Sequence, residues 1–204
     1  MLAEVRLWTV RDYHRMVEAG ILHPDERVEL IEGQIIRMSP KGTAHEAAIT
    51  RLERILRKQL GVSEAIQRNR VIIRLQSPIQ LNDRSEPEPD VAVVQANPLD
   101  YEDHHPTPVE AYLLIEIADS SFKFDCETKA RLYAQAGIAD YWVLDVNDRQ
   151  LHVFRSPNQD GYQDHDTLGE TEHLALLLFS DITVSVAEMF GRASCSAIAA
   201  VFFQ

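Results

Sequence analysis

Hydrophobic positions along this chain switch repeatedly between helical and strand-like spacing, and the switches mark its elements. Thr9, with Asp12 three residues on, can cap a helix whose residues Val10, Tyr13 and Val17 share one face until Gly20. Arg27 to Met38 then holds two short β-prone runs joined at Glu32-Gly33, the pattern of a hairpin. Thr43 can cap a second helix, with Ala48, Ile49, Leu52, Ile55, Leu56 and Leu60 on one face and Gly61 as its stop.

Further along, Ala65 to Leu81 is β-like, and the prolines of the run EPEPD stiffen the approach to a strand over Asp90–Val94. Asn97 to Pro108 reads as a loop. Ala111–Ala118, AYLLIEIA, has the nearly continuous apolarity of a buried strand. Asp125 can cap a helix that ends at Ala136, ahead of Gly137. Strands at Asp140–Asp145 and Leu151–Arg155 and a β-rich stretch to Met189 complete the pattern. With no repeat or linker, it predicts a single α+β domain over residues 1–191, α/β/α-like. Its central mixed β-sheet is flanked by helices and joined by an N-terminal helix and β-hairpin. Residues 192–204 form an apolar C-terminal tail, expected to pack on its own domain or across a homodimer.

Charge narrows the function. The 204 residues include 20 Lys and Arg against 32 Asp and Glu, a net charge of −12. That balance argues against a general electrostatic grip on nucleic acid and leaves a local basic groove, or a metal held by carboxylates. Arg68, Arg70 and Arg74, separated by two and four residues and so on one face of a strand, offer either such a strip or a solvated strand face. Two cysteines, Cys126 and Cys195, build neither a disulfide framework nor a zinc knuckle by themselves, which suits a reducing cytoplasm. The N-terminus has no apolar leader, and the longest apolar stretch, Ala197–Phe203, is far short of the ~20 residues of a membrane span. A soluble cytoplasmic protein with no membrane association is expected.

Candidate chemistry centres on Glu116. Side-chain alternation sets Leu114, Glu116 and Ala118 on one face of their strand, where a carboxylate is costly unless paired, protonated or bound to a cation. A buried ion pair and a metal site both answer that demand. If the strand opened by Asp90 neighbours Ala111–Ala118, Asp90 and Glu116 converge, and two hard oxygen donors suit magnesium. Judged alone, Asp90 is equally a strand-entry turn residue. Lys129 shares a helix face with Leu132, Tyr133 and Ala136, so it either snorkels at the stripe's edge or aims its ammonium at the acids. His45 lies in line with Ile49, Leu52 and Leu56, as a core histidine or an aid to a metal beside Glu46. Asp119, Ser120 and Ser121 suit a turn, and their hydroxyls and amides could meet a phosphate. His104-His105-Pro106 has metal-like spacing but sits in a proline-rich loop with no Cys or third His nearby, and reads as surface.

The order Asp90, Glu116, Lys129 resembles the PD-(D/E)xK nuclease superfamily. Several runs look like its Uma-two-type restriction endonucleases: WTVRDYHRMVEAG, DERVELIEGQIIRMSP, EPEPD, LLIEIADSS, the spacing Asp125/Lys129/Tyr133, and AGIADYWVLD. The resemblance runs from about Leu7 to Gly191. It implies a restriction-endonuclease-like sheet and a Mg²⁺-dependent endonuclease acting on DNA, with Mn²⁺ able to substitute. Asp90 and Glu116 would be the metal ligands and Lys129 the catalytic lysine, with His45, Glu46, Ser120, Asp125 and Tyr133 as accessory candidates. One departure stands out: the lysine expected two residues after the acid is replaced by Ala118. The branch is thought to draw its lysine from the next helix, and Lys129 matches that position. Two other classes stay open: a non-catalytic DNA-binding or interaction module that keeps the fold, and a metal-dependent hydrolase of a smaller phosphodiester.

Overall fold

Helix α1, Val10–Glu18, starts where its polar residues satisfy the first free amides. Thr9 accepts a hydrogen bond from the Asp12 N–H, and the Asp12 carboxylate accepts one from the Thr9 N–H. These coordinates are a computed structural model, which describes residues 5–23, 25–62 and 71–191. Strands β1, Val28–Ile31, and β2, Gln34–Arg37, form the expected hairpin around Glu32-Gly33. Both turn residues have positive φ, 48° and 78°, as a two-residue turn with the right twist requires. Gly33 is needed for a second reason, since a Cβ there would lie 2.7 Å from the Leu7 Cβ.

Helix α2, Thr43–Val62, buries Ala48, Ile49, Leu52, Ile55, Leu56 and Leu60, the stripe its spacing predicts. Two boundary expectations differ. Thr43 is the first helical residue rather than a cap, and the helix runs through Gly61 because a glycine facing open space costs a helix only ~1 kcal/mol.

Six strands form the main sheet in the order β3-β4-β5-β6-β7-β8. They are β3 Val71–Leu75, β4 Val91–Gln95, β5 Ala111–Ala118, β6 Asp140–Asp145, β7 Gln150–Asn158 and β8 Gly161–Leu168. Only β5 and β6 run parallel, and the helical crossover between them makes that possible. The sheet is therefore mixed, as expected. A small pair, β9 His173–Ala175 and β10 Thr183–Ser185, leads into the one-turn helix α4, Val186–Met189.

Alternation along β5 divides the core. Leu113, Ile115 and Ile117 join Leu52, Leu56 and Trp142 in one apolar cluster, whereas Leu114 and Ala118 join Tyr133, Tyr141 and Val143 in the other. The crossover opposite α2 is a π-helical turn, Phe124–Lys129, continuing into helix α3, Ala130–Gln135. Gly137, at φ 83°, follows as the left-handed residue that ends the helix. Asp125 does not cap this helix. Helical backbone begins before it, and its carboxylate accepts a hydrogen bond from the Ser121 hydroxyl. Among the described residues no helix is long and apolar enough to cross a membrane. Arg68, Arg70 and the C-terminal tail lie outside the described residues.

Candidate active site

Strand pairing brings the two acids together. Val91 pairs with Ile115 in the antiparallel β4–β5 ladder, so Asp90 falls opposite Glu116 one step further on. Asp90 Oδ2 accepts hydrogen bonds from the Ile117 N–H, 2.9 Å, and from His45 Nε2, 2.9 Å. Its Oδ1 has longer contacts, 3.3 Å to Gln76 Nε2 and 4.0 Å to Lys41 Nζ. Burial pushes the Asp90 carboxyl upward, but the His45 contact, the Ile117 amide and the Lys129 charge together hold it below its ordinary value.

Glu116 is buried on the α3 side of the sheet. Its Oε1 accepts from Lys129 Nζ and from the Tyr133 hydroxyl, each at 2.9 Å. Lys129 and Tyr133, four residues apart, therefore grip one carboxylate oxygen from one helical face. Lys129 Nζ also lies 3.1 Å from Glu29 Oε2, and Glu29 is anchored by accepting the Glu88 N–H. Burial raises Glu116 well above the usual carboxylate range, and the nearby charges of Asp125, Asp90 and Glu29 add to the rise against the pull of Lys129. Lys129 is shifted the other way. Burial disfavours its charge, but Glu116, Glu29 and Asp125 outweigh it, so the ammonium is held protonated above its ordinary value. Burial also pushes Asp125 up to about 6, against Lys129 and the Ser121 hydrogen bond.

These groups open onto a cavity of about 260 Å³ between the hairpin, the N-terminus of α2 and the turn after β5. Glu29, Asp90, Glu116, Asp125, His45, Ser120, Ser121 and Lys129 line it, together with Arg27, Arg37 and Lys41. Glu29, Asp90, Glu116 and Asp125 are buried, as is Lys129, whereas Arg27, Arg37, Lys41 and the lining acid Asp119 are more exposed, within a chain of net charge −12. Burial, with Arg27 alongside, lowers the Lys41 ammonium.

The Uma2 family model, described as putative restriction endonuclease, matches residues 10–187. This chain belongs to the Uma2 family. Among solved structures, it is similar to a putative nuclease belonging to DUF820 from Anabaena variabilis. The TM-score is 0.69 and the identity 15%, with 89% of this chain and 97% of that one covered. At that identity the likeness is one of fold, and it agrees with the expected restriction-endonuclease-like architecture. A comparison with curated proteins finds no match.

In this Uma2 chain, the fold gathers Asp90, Glu116, Lys129, His45, Asp125 and Tyr133, and adds Ser120 at the cavity wall. Glu46 is not among them. It is exposed one position past His45, on the outer side of α2, because consecutive helical residues point ~100° apart. Arg74 is not part of an open basic strip either, since its guanidinium packs 5.4 Å from the centre of the Tyr101 ring. Glu29 and Lys41 are the groups sequence reasoning missed. Glu29 carried a usable signal, being an acid inside the β-prone run VELI, as Glu116 is inside AYLLIEIA.

Proposed function

We propose that this cavity is the active site of a metal-dependent endonuclease that hydrolyses DNA phosphodiester bonds. The observation that carries the reading is one buried ammonium, Lys129, bonded to Glu116 in a cavity that Asp90 also lines.

The donors fit a hard divalent cation. Hydrogen bonds to Glu116 from described residues fall on Oε1 alone, and Asp90 keeps only long contacts at Oδ1, so each acid has an oxygen to offer. The rise of Glu116 above its ordinary range is also what a bound cation would relieve. Asp90 and Glu116 would hold Mg²⁺, with Mn²⁺ able to substitute. When bound, the ion supplies polarisation of the scissile phosphate and acidification of an attacking water.

The chain's own groups do the rest. Lys129 uses two contacts on Glu116 and Glu29, and an ammonium has three N–H donors. The third serves a phosphate oxygen or the attacking water. Because its acidic neighbours keep it charged, Lys129 works as an electrostatic and orienting group rather than as a base. Asp125, near 6, is suited to exchanging a proton with water at neutral pH. His45 fixes Asp90, and Tyr133 fixes Glu116. Arg27, Arg37 and Lys41 give an acidic protein the local positive rim that a DNA backbone requires.

Plasmid cleavage with and without Mg²⁺ tests this. Activity should require the metal and disappear in Glu116→Gln. Hydrolysis of a small phosphodiester without plasmid cleavage would reassign the substrate. DNA binding without any cleavage by the metal-loaded protein would leave an interaction module. The homodimer expected from the apolar tail is a separate proposal, tested by light scattering at about twice 23.2 kDa.

A further inference from the structure

Outside the cavity, three residues far apart in sequence meet on the other side of the hairpin. His14 comes from α1, Glu86 from the segment that bridges to Leu30 of β1, and His105 from the loop between β4 and β5. One donor atom from each lies within 4.8 Å of the other two. None of the three lines the active-site cavity.

We propose that His14, Glu86 and His105 form a second metal site, selective for a transition-metal dication of the Zn²⁺ class.

Glu86 is the strongest observation. It is only 3% exposed, yet its Oε2 has no hydrogen-bond partner among the described residues, while Oε1 lies 2.7 Å from His14 Nε2. The His105 Nδ1 is likewise buried without a partner. An unpaired buried carboxylate oxygen and an unpaired buried imidazole nitrogen are each costly, and a cation held by the three side chains offers them a partner. Two nitrogens and one oxygen are the donors of Zn²⁺ and its neighbours, whereas Mg²⁺ prefers oxygen alone. Tetrahedral Zn²⁺ with ligands at ~2.0–2.1 Å sets neighbouring donors ~3.3 Å apart, so modest side-chain rotations close the site. His14 is 43% exposed at its side chain, which leaves the fourth position to water. The ion would cross-link α1, the β1-bridging segment and the β4–β5 loop. The reading of His104-His105 as plain surface holds for the exposed His104 and fails for His105, whose partners lie 91 and 19 residues away in the sequence.

The test uses the full chain, stripped with chelator and then equilibrated with Zn²⁺ in excess Mg²⁺, so that any oxygen-only site is occupied. Metal analysis should find one Zn²⁺ per chain, and the melting temperature should rise. His14→Ala is the primary variant, because the residue stands half-exposed on a surface helix and its loss should leave the fold intact. It should weaken Zn²⁺ binding by more than ~100-fold, beyond the ~10–100-fold cost of losing an outer-shell partner. His105→Ala should do the same, and Glu116→Gln should keep the ion. Co²⁺ in place of Zn²⁺ should give a visible absorption band that His14→Ala removes. Failure of the wild-type chain to retain Zn²⁺ would overturn the proposal. So would retention by folded His14→Ala, or loss from Glu116→Gln alone. Plasmid cleavage plays no part in this readout, so it stands or falls apart from the proposed nuclease activity.

Discussion

Lys129 donates from Nζ to Glu116 Oε1 across 2.9 Å, from a helical turn thirteen residues further along the chain. The contact is nearly sealed from water, with both side chains about 5% exposed or less. Each buried charge is costly without its partner, so removing either member of the pair should destabilise the fold.

Lys129→Ala should lower DNA cleavage by ~10²-fold or more, the scale of losing one charge-stabilising group. It should also destabilise the fold by about 3–5 kcal/mol, because Glu116 and Glu29 are left buried and unpaired. The double variant Lys129→Met with Glu116→Gln should regain only part of that stability, because Glu29 stays unpaired, and none of the activity. Denaturant melts and plasmid assays on the same preparations decide it. A single variant as stable as wild type would mean that the ammonium is not paired as described.

Glu29→Gln should weaken the second anchor of Lys129. A loss of about 1–3 kcal/mol is expected, with a smaller fall in cleavage than for Lys129→Ala. Lys123→Ala, exposed at the start of the same helical segment, should change neither quantity. Equal losses at 123 and 129 would dissolve the distinction between the two lysines.

Asp125 gives the pH dependence a sign. Its folded pKa is raised to about 6 from 3.8, so ionising it opposes folding. That penalty is absent below about pH 4, grows from pH 4 to 6, and is complete above, costing about 3 kcal/mol. Stability should therefore fall across this window as pH rises. Asp125→Asn should flatten that slope and be more stable than wild type at pH 7. Unfolding free energies from pH 4 to 8 measure it, and an Asn variant with the wild-type slope would assign the titration elsewhere.

Mg²⁺ or Mn²⁺ should raise the melting temperature of the wild-type chain by mass action, since the ion relieves repulsion among buried carboxylates. Glu116→Gln should lose the Mg²⁺-dependent shift. Asp90→Asn should lose most of it, while its hydrogen bond from the Ile117 N–H can persist. Identical metal responses in all three proteins would mean the ion binds elsewhere.

The sequence made the framework legible because periodicity and apolar runs are local properties. The α2 stripe, the Glu32-Gly33 hairpin and β5 all follow from residues within one element. Glu116 was visible for the same reason, as an acid that contradicts its own strand. What stayed hidden depends on partners. Nothing near Asp90 says that β4 lies beside β5, and nothing near Glu29 says that the hairpin folds over α3 so that both of its faces are covered. The expectation that Asp125 caps a helix failed because Ser121 meets its carboxylate and helical backbone already begins upstream of it. Between His45 and Glu46, one residue of helical phase decides which one lines the cavity, and only the folded helix fixes that phase.

The π-helical turn that carries Lys129 has a genetic consequence. Such a turn holds one more residue than the α-helical turn it replaces. Loss of one codon within it would leave an unbroken helix with a full complement of acids and lysines. A codon lost where the helix cannot absorb it would instead swing Lys129 and Tyr133 by about 100° relative to the strand before them, away from Glu116. A relative altered in this way would keep every signature residue and the whole architecture, yet be silent. The place of such a loss, more than the identity of the residues that remain, would then tell working members of such a lineage from retired ones.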